Sequence, residues 1–261
     1  LYYTVADGFF LWASEIKALL ASGLVRAEAD RLGIDLVFTL FAAGTQRTAF
    51  RNISSLWPGH YLCVRDGEPS IRRYWDLSFP DRGDERRGNV GRLTDELLSV
   101  VENAVSRRFA SDGAVATYLS GGLDSSLILS MVKRLRPRHT QHSFSIGFDG
   151  SGPDERPRTE KTAALLGAAL HTTVPSGREI LDALPRVIHG VEGPIMDTAN
   201  ACMLLLAEQV AASGFKVALT GEGADEAMGG YVWHKTAKVL SALACLHPEL
   251  PDWIRNAVSD W

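Results

Sequence analysis

Cysteine is scarce: Cys63, Cys202 and Cys245 are the only three in 261 residues. Their odd number, wide spacing and lack of a CxxC pair argue against a disulfide framework or a cysteine zinc site and favour reduced thiols. No apolar run approaches the roughly 18 residues that would span a bilayer. The opening LYYTVADGFF has neither the basic stretch nor the small-residue cleavage site of a secretory signal, so a cytoplasmic location without membrane contact is expected. A polybasic block is also missing, and 31 acidic against 27 basic side chains leave a formal charge of −4. That balance disfavours nucleic acid and anionic lipid as partners. What remains is 46% hydrophobic and 22% charged residues with 24 glycines, an ordinary globular composition with room for one large or two small domains. Disordered, collagen-like and coiled-coil classes are excluded. The first residue is Leu1, not methionine, so the sequence is expected to begin inside a longer gene product.

Residues 1–77 read as α+β material. GFFLWA at 8–13 is a β-rich run; Ser14 offers an N-cap to a helix over 15–21, and Gly23 suits its C-terminal turn. A second helix is expected over 35–43, ending at Gly44. After Pro58-Gly59, the β-forming stretches 61–64 and 71–75 flank Asp66-Gly67, a hairpin pair. The charged, Gly-rich stretch 78–92 reads as a linker. Beyond it, Leu93, Leu97, Leu98, Val101, Ala104, Val105 and Phe109 trace one helical face. Strands at 114–119, 143–148, 171–174 and 216–219 then alternate with helices at 125–135, 159–166, 178–188 and 199–212. This rhythm predicts an α/β fold, a parallel sheet with helices on both faces, over 93–261.

The chemistry is concentrated where strands end. In VATYLSGGLDSS, 115–126, a β-branched and aromatic strand runs into two glycines and then an apolar helix. A helix N-terminus offers unpaired N–H groups and a positive dipole end, and small molecules bind at the carboxyl ends of parallel strands. Gly121 and Gly122 allow close backbone approach to an anion, while Ser120, Ser125 and Ser126 add hydroxyls. The loop has no lysine and carries Asp124, so phosphate binding there implies an intervening Mg²⁺. A Gly/Ser turn capping an ordinary helix would explain SGG alone, but not the Asp and two serines that follow. A second strand delivers VALTGEGADEAMGGY, 217–231, with Glu222, Asp225 and Glu226 within five residues. Three carboxylates so close repel one another unless a cation or positive substrate group joins them.

SGGLDSS resembles the pyrophosphate-binding loop of the ATP-pyrophosphatases, which cleave ATP between its α and β phosphates. Together with GEGADE and GGY it resembles, more narrowly, the synthetase domain of glutamine-dependent asparagine synthetases. ASEIKALL at 13–20, FRNISSLWPGHYL at 50–62 and RRYWD at 72–76 resemble the last part of that family's glutaminase domain, of the Ntn-hydrolase type. The resemblance implies a C-terminal glutaminase portion over 1–77, a linker over 78–92 and the first part of an ATP-binding domain over 93–261. It implies ATP and Mg²⁺ as cofactors, aspartate and glutamine or ammonia as small-molecule partners, and allows a homodimer of the full-length protein.

By that likeness Asp124 and Asp225 are the Mg²⁺ and pyrophosphate carboxylates. Ser120, Gly121, Gly122, Leu123, Asp124, Ser125 and Ser126 hold the pyrophosphate end of ATP. Tyr118 and Ile146 meet the adenine side, Gly221 lies beside the nucleotide, and Glu222 orients or deprotonates the incoming amine. Glu192, Asp197 and Thr198, in GVEGPIMDTANA, match a stretch lining the amino-acid pocket, or else are loop and N-cap residues before the helix at 199. The family's N-terminal cysteine nucleophile has no counterpart at Leu1. Ala227-Met228 and Ala168-Ala169-Leu170 depart from the usual pattern and leave the acceptor open, with ring-closing relatives or a non-catalytic nucleotide-binding remnant as the alternatives. His139 and His142 are assigned to a connector, Trp57, Trp75 and Trp233 to packing, and Phe9, Phe10 and Trp12 to exposed apolar surface.

Overall fold

The computed structural model describes residues 1–41, 46–65, 67–80, 84, 86–109, 113–150, 154–236 and 238–239. Gly44, Asp66 and Cys245 lie outside the described residues. In chain order the elements are β1 (Tyr2–Ala6), β2 (Phe9–Ala13), α1 (Ile16–Leu20), α2 (Arg31–Leu40), β3 (Ser54–Ser55), β4 (His60–Arg65), β5 (Glu68–Arg73) and α3 (Val90–Arg108). There follow β6 (Val115–Tyr118), α4 (Leu123–Leu135), β7 (His142–Ile146), α5 (Arg156–Leu166), β8 (Ala169–Thr173), α6 (Gly177–Val191), α7 (Ala199–Ala212), β9 (Val217–Leu219) and α8 (Ala224–Met228). They group into two compact units, 1–93 with 175–208 and 94–174 with 209–261. Among the described residues no helix is long and apolar enough to cross a membrane.

The first unit opens with an antiparallel hairpin that the sequence reading did not anticipate. Asp7 and Gly8 both take positive φ, 49° and 78°, the two-residue turn that matches strand twist, and Thr4 pairs with Leu11. β1 also pairs with β3. Ile16, Leu19 and Ile53 form the core beneath, with Tyr2, Leu11 and Phe50 packed against it. Phe9 and Trp12 stand exposed as expected, at 61% and 66%, while Phe10 is partly covered and stacks on Tyr3. The second hairpin, β4 with β5, forms around Gly67 as the β-forming stretches predict.

Two helix starts differ from the expectation. α2 begins at Arg31 because Asp30 accepts hydrogen bonds from the amides of Leu32 and Gly33, a cap that outweighs the cost of glycine in the first turn. α1 begins after Glu15, not Ser14, and Glu15 makes no capping bond of its own. The tryptophans assigned to packing are largely exposed: Trp57 and Trp75 line a cavity of about 610 Å³ together with His60, Arg73 and Asp76. Helices α6 and the first part of α7 pack through Ala183, Val187 and Ala201. α6 starts on a capping box in which Ser176 and Glu179 satisfy each other's backbone amides.

In the second unit the four strands are all parallel and lie in the order β8-β7-β6-β9. α3 and α4 cover one side through Val105, Phe109, Met131 and Val132, which meet Val115, Val217 and Leu219. Leu129 and Leu119 form a second core with Ala163 on α5. The buried Thr117 and Ser143, paired in register, share a hydroxyl hydrogen bond of 2.8 Å. Neighbouring positions place Phe144 against the His171 ring and Phe215. His142 begins β7 and does not lie in the connector: its Nδ1 is 2.9 Å from Nε2 of His171.

Candidate active site

The strand order sets the site. β6, first of the four in sequence, has β7 on one side and β9 on the other, so the connections diverge between β6 and β9. In open parallel sheets this switch point leaves a crevice at the carboxyl ends of the strands, where ligands bind. The two loops that leave those strands there are 119–122 and 220–223, the two motifs singled out in the sequence.

The first loop is built for close approach. Gly121 takes φ 73°, and a Cβ on it would lie 2.8 Å from the amide nitrogen of Thr159, so the turn packs directly on α5. Ser120 Oγ and Ser125 Oγ lie 3.1 Å apart, and Ser125 Oγ also accepts from the Ser120 amide at 3.2 Å. The Gly122 amide donates to Ser120 Oγ, and Ser126 Oγ donates to the Gly122 carbonyl at 2.6 Å. The turn therefore holds its shape by internal hydroxyl bonds while α4 begins at Leu123 with no side-chain cap. Leu123 is 83% exposed, so what it offers an anion is its backbone N–H. Asp124 sits in the first turn, half-buried.

The second loop touches the first. A Cβ on Gly221 would lie 2.9 Å from the Ser125 nitrogen and 3.0 Å from the Asp124 Cβ, so the loop after β9 lies against the start of α4. Thr220 Oγ1 accepts from the Glu222 amide at 3.1 Å and fixes the turn that exposes Glu222. The stretch read as loop is in part a helix, α8, with Asp225 and Glu226 in its first turn. Tyr231 donates to Glu226 at 2.7 Å and stacks on Trp233. That hydrogen bond holds the Glu226 carboxyl below its ordinary range and pushes the Tyr231 phenol up to about 12. One of the three clustered acids is thus engaged within its own loop. Thr220 had no role in the sequence reading and Tyr231 none beyond the GGY likeness; Thr220, directly before GEG at a strand end, was the available signal.

Tyr118 and Ile146 end β6 and β7, neighbouring strands of the sheet, and burial raises the Tyr118 phenol above its ordinary value. Asp197 accepts from the Ala199 amide at 2.9 Å, the N-cap alternative weighed for it. Glu192 lies in the first unit, and both its oxygens are bonded to residues at the start of α1. Burial pushes its carboxyl up, but the Lys17 and Ile16 amides and the Lys17 ammonium outweigh this and hold it below the usual range. A role for it as a pocket ligand is therefore replaced by a structural one. Among the described residues no cluster of three or more His, Cys, Asp or Glu side chains is arranged to hold a metal ion.

A family model for asparagine synthase matches residues 96–259, which include both loops of the crevice. The chain belongs to the asparagine synthase family. A glutamine amidotransferase domain model matches residues 1–75 of this asparagine synthase family member. Asparagine synthetase [glutamine-hydrolyzing] 3 of Bacillus subtilis is 31% identical over 254 residues, which are 92% of this chain and 41% of that protein. Asparagine synthetase B [glutamine-hydrolyzing] of Escherichia coli is 36% identical over 202 residues, 71% of this chain and 35% of that protein. A protein named amidase chyE, from Penicillium rubens, is 34% identical over 245 residues, 88% of this chain and 36% of that protein. The chain thus spans 35% to 41% of the length of these relatives. Among solved structures, an NH3-dependent NAD synthetase from Campylobacter jejuni in complex with the nitrate ion aligns with a TM-score of 0.35 and 19% identity, over 56% of this chain and 62% of that one.

Proposed function

We propose that the protein of which this chain is part is an ATP-dependent amide-forming ligase that converts aspartate to asparagine with glutamine or ammonia as nitrogen donor. The observation that carries this reading is the meeting of the SGGLDSS and GEGADE loops at the strand switch point, with Gly221 against the start of α4. A carboxylate is a poor electrophile. Its oxygen attacks the α-phosphorus of ATP, the bond to the β-phosphate bridging oxygen breaks, and pyrophosphate leaves. Ammonia then attacks the acyl carbon of the adenylate, and AMP departs.

The backbone amides at the start of α4 and the hydroxyls of Ser120, Ser125 and Ser126 bind the pyrophosphate end. Tyr118 and Ile146, at the ends of β6 and β7, flank the nucleotide base. Asp124 and Asp225 are the residues that would hold Mg²⁺, which usually takes one or two carboxylates and completes its shell with phosphate oxygens and water. The two carboxylates stand in the first turns of α4 and α8, the helices that follow the two touching loops. When bound, the ion supplies positive charge against the negative charge that gathers on the departing pyrophosphate. Glu222 faces solvent at the lip of the same loop, where it orients the amine or accepts its proton.

The test is pyrophosphate release from Mg-ATP by the full-length gene product, with and without aspartate, and with glutamine or ammonia. Aspartate-dependent pyrophosphate and AMP, with new asparagine, support the reading. The similarity to a protein named amidase favours one alternative, a different acceptor at the same site, and pyrophosphate release that ignores aspartate would select it.

A further inference from the structure

Glu192 ends α6 in the left-handed region, at φ 58° and ψ 35°, where glycine is the usual occupant. A non-glycine residue held there, with a side chain only 6% exposed, needs a reason. Its Oε2 accepts from the Ile16 amide at 2.6 Å, and its Oε1 accepts from the Lys17 amide at 2.6 Å and from Lys17 Nζ at 3.2 Å. Lys17 Nζ also donates to the His189 carbonyl at 3.4 Å, one turn earlier on α6. Glu15, the local N-cap, makes no capping bond and pairs with Lys17 instead. The first amides of α1 are therefore satisfied by a carboxylate 175 residues further along the chain.

Each end of this contact is anchored. Ile16 and Leu19 are buried with Ile53 under the sheet of β1, β2 and β3, so α1 moves with that sheet. On the other side, Glu192 opens the turn that runs to Asp197, whose side chain caps α7. α6 and α7 are packed together through Ala183, Val187 and Ala201. Residues 1–75 match the amidotransferase model and 96–259 the asparagine synthase model, so the contact joins segments of two different assignments inside one compact unit.

We propose that Glu192 is a positioning residue for nitrogen transfer, whose carboxylate fastens α1 of the amidotransferase segment to the turn after α6 and so keeps glutamine cleavage coupled to amide formation. This rests on the activity proposed above. The experiment compares full-length protein with its Glu192→Gln, Glu192→Ala and Lys17→Met variants. It reads three quantities: hydrogen exchange of the Ile16 and Lys17 amides, glutamate formed per amide product, and the ammonia-supported rate. Glu192→Gln and Glu192→Ala are expected to speed exchange of the two amides about 10-fold or more, since a charge-assisted acceptor is lost. They raise the glutamate-to-product ratio several-fold and leave the ammonia-supported rate within about twofold, while Lys17→Met, which keeps both backbone bonds, changes the ratio less. An unchanged ratio despite faster exchange overturns the proposal, as does an ammonia-supported rate that falls in step with the glutamine-supported one. Unchanged exchange also overturns it. If the parent forms no amide with either donor, the proposed activity falls and this inference with it; an active parent with unaltered coupling overturns this inference alone.

Discussion

Gly221→Ala puts a methyl group between the two loops of the crevice. Its Cβ would lie 2.9 Å from the Ser125 nitrogen and 3.0 Å from both the Asp124 carbonyl carbon and Cβ, where ordinary contacts begin at 3.4 Å. One loop must retreat by about 0.5 Å or more, the difference between those contact distances. The start of α4 resists, because Leu129 and Val132 on the same helix are fully buried. Overpacking of this kind costs about 1–3 kcal/mol in stability. A reacting geometry displaced by about 1 Å loses on the order of 10²-fold in rate, so half that shift predicts a loss of about 10-fold or more in ATP-dependent pyrophosphate release. Calorimetric Tm and nucleotide Kd are measured beside the rate. Gly214→Ala is the control: it forces a residue into the left-handed region, at φ 85°, which Gly221 does not occupy, but places the new Cβ in open space. It should cost about 1–2 kcal/mol of stability and leave ATP affinity unchanged. A Gly221→Ala protein with the parent's Kd and rate refutes the reasoning, and so does a Gly214→Ala protein that loses affinity equally.

Asp124→Asn and Asp225→Asn should each lower Mg-ATP turnover by about 10²-fold or more while shifting stability by less than about 0.5 kcal/mol, read by steady-state kinetics and denaturant melts. Leu129→Ala, at a position with 0% exposure, should destabilise by about 2–5 kcal/mol in the same melts. The Tyr231 phenol, raised by its bond to Glu226, should ionise in an ultraviolet titration near pH 12, and Glu226→Gln should return it towards the ordinary value near 10. Because the folded phenol value is the higher one and the folded Glu226 value the lower one, this bond's contribution to stability is complete between the ordinary carboxyl and phenol values; it is lost as pH rises through about 12 and as pH falls through the depressed Glu226 value.

The alternation of strands and helices beyond residue 93 was readable because each strand is a short β-branched or aromatic run and each helix ends at a marked position. Gly167 after α5, in the left-handed region, is one such stop. The order β8-β7-β6-β9 was not readable from periodicity, since it depends on which side of β6 each crossover passes. Asp7-Gly8 carries the signal of the β1–β2 hairpin, but the apolar run from Gly8 masks the strand before it. α8 was read as loop because four glycines, Gly221, Gly223, Gly229 and Gly230, surround only five helical residues. The exposure of Trp57 and Trp75 reflects tertiary placement that residue type alone does not give. Glu192 was placed in a pocket by likeness, whereas its partners Ile16 and Lys17 lie far away in sequence, beyond the reach of any local pattern. Within the site, the residue types and loop positions were legible, and the contact of Gly221 with α4 was not.

The central claim is that the two loops support transfer of an adenylyl group to a carboxylate. Full-length protein incubated with Mg-ATP, a nitrogen donor and aspartate labelled with ¹⁸O in its side-chain carboxylate tests it most directly, by mass spectrometry of the nucleotide product. AMP that carries one labelled oxygen for each asparagine formed is the expected product. Unlabelled AMP, or ADP and phosphate in its place, would contradict it.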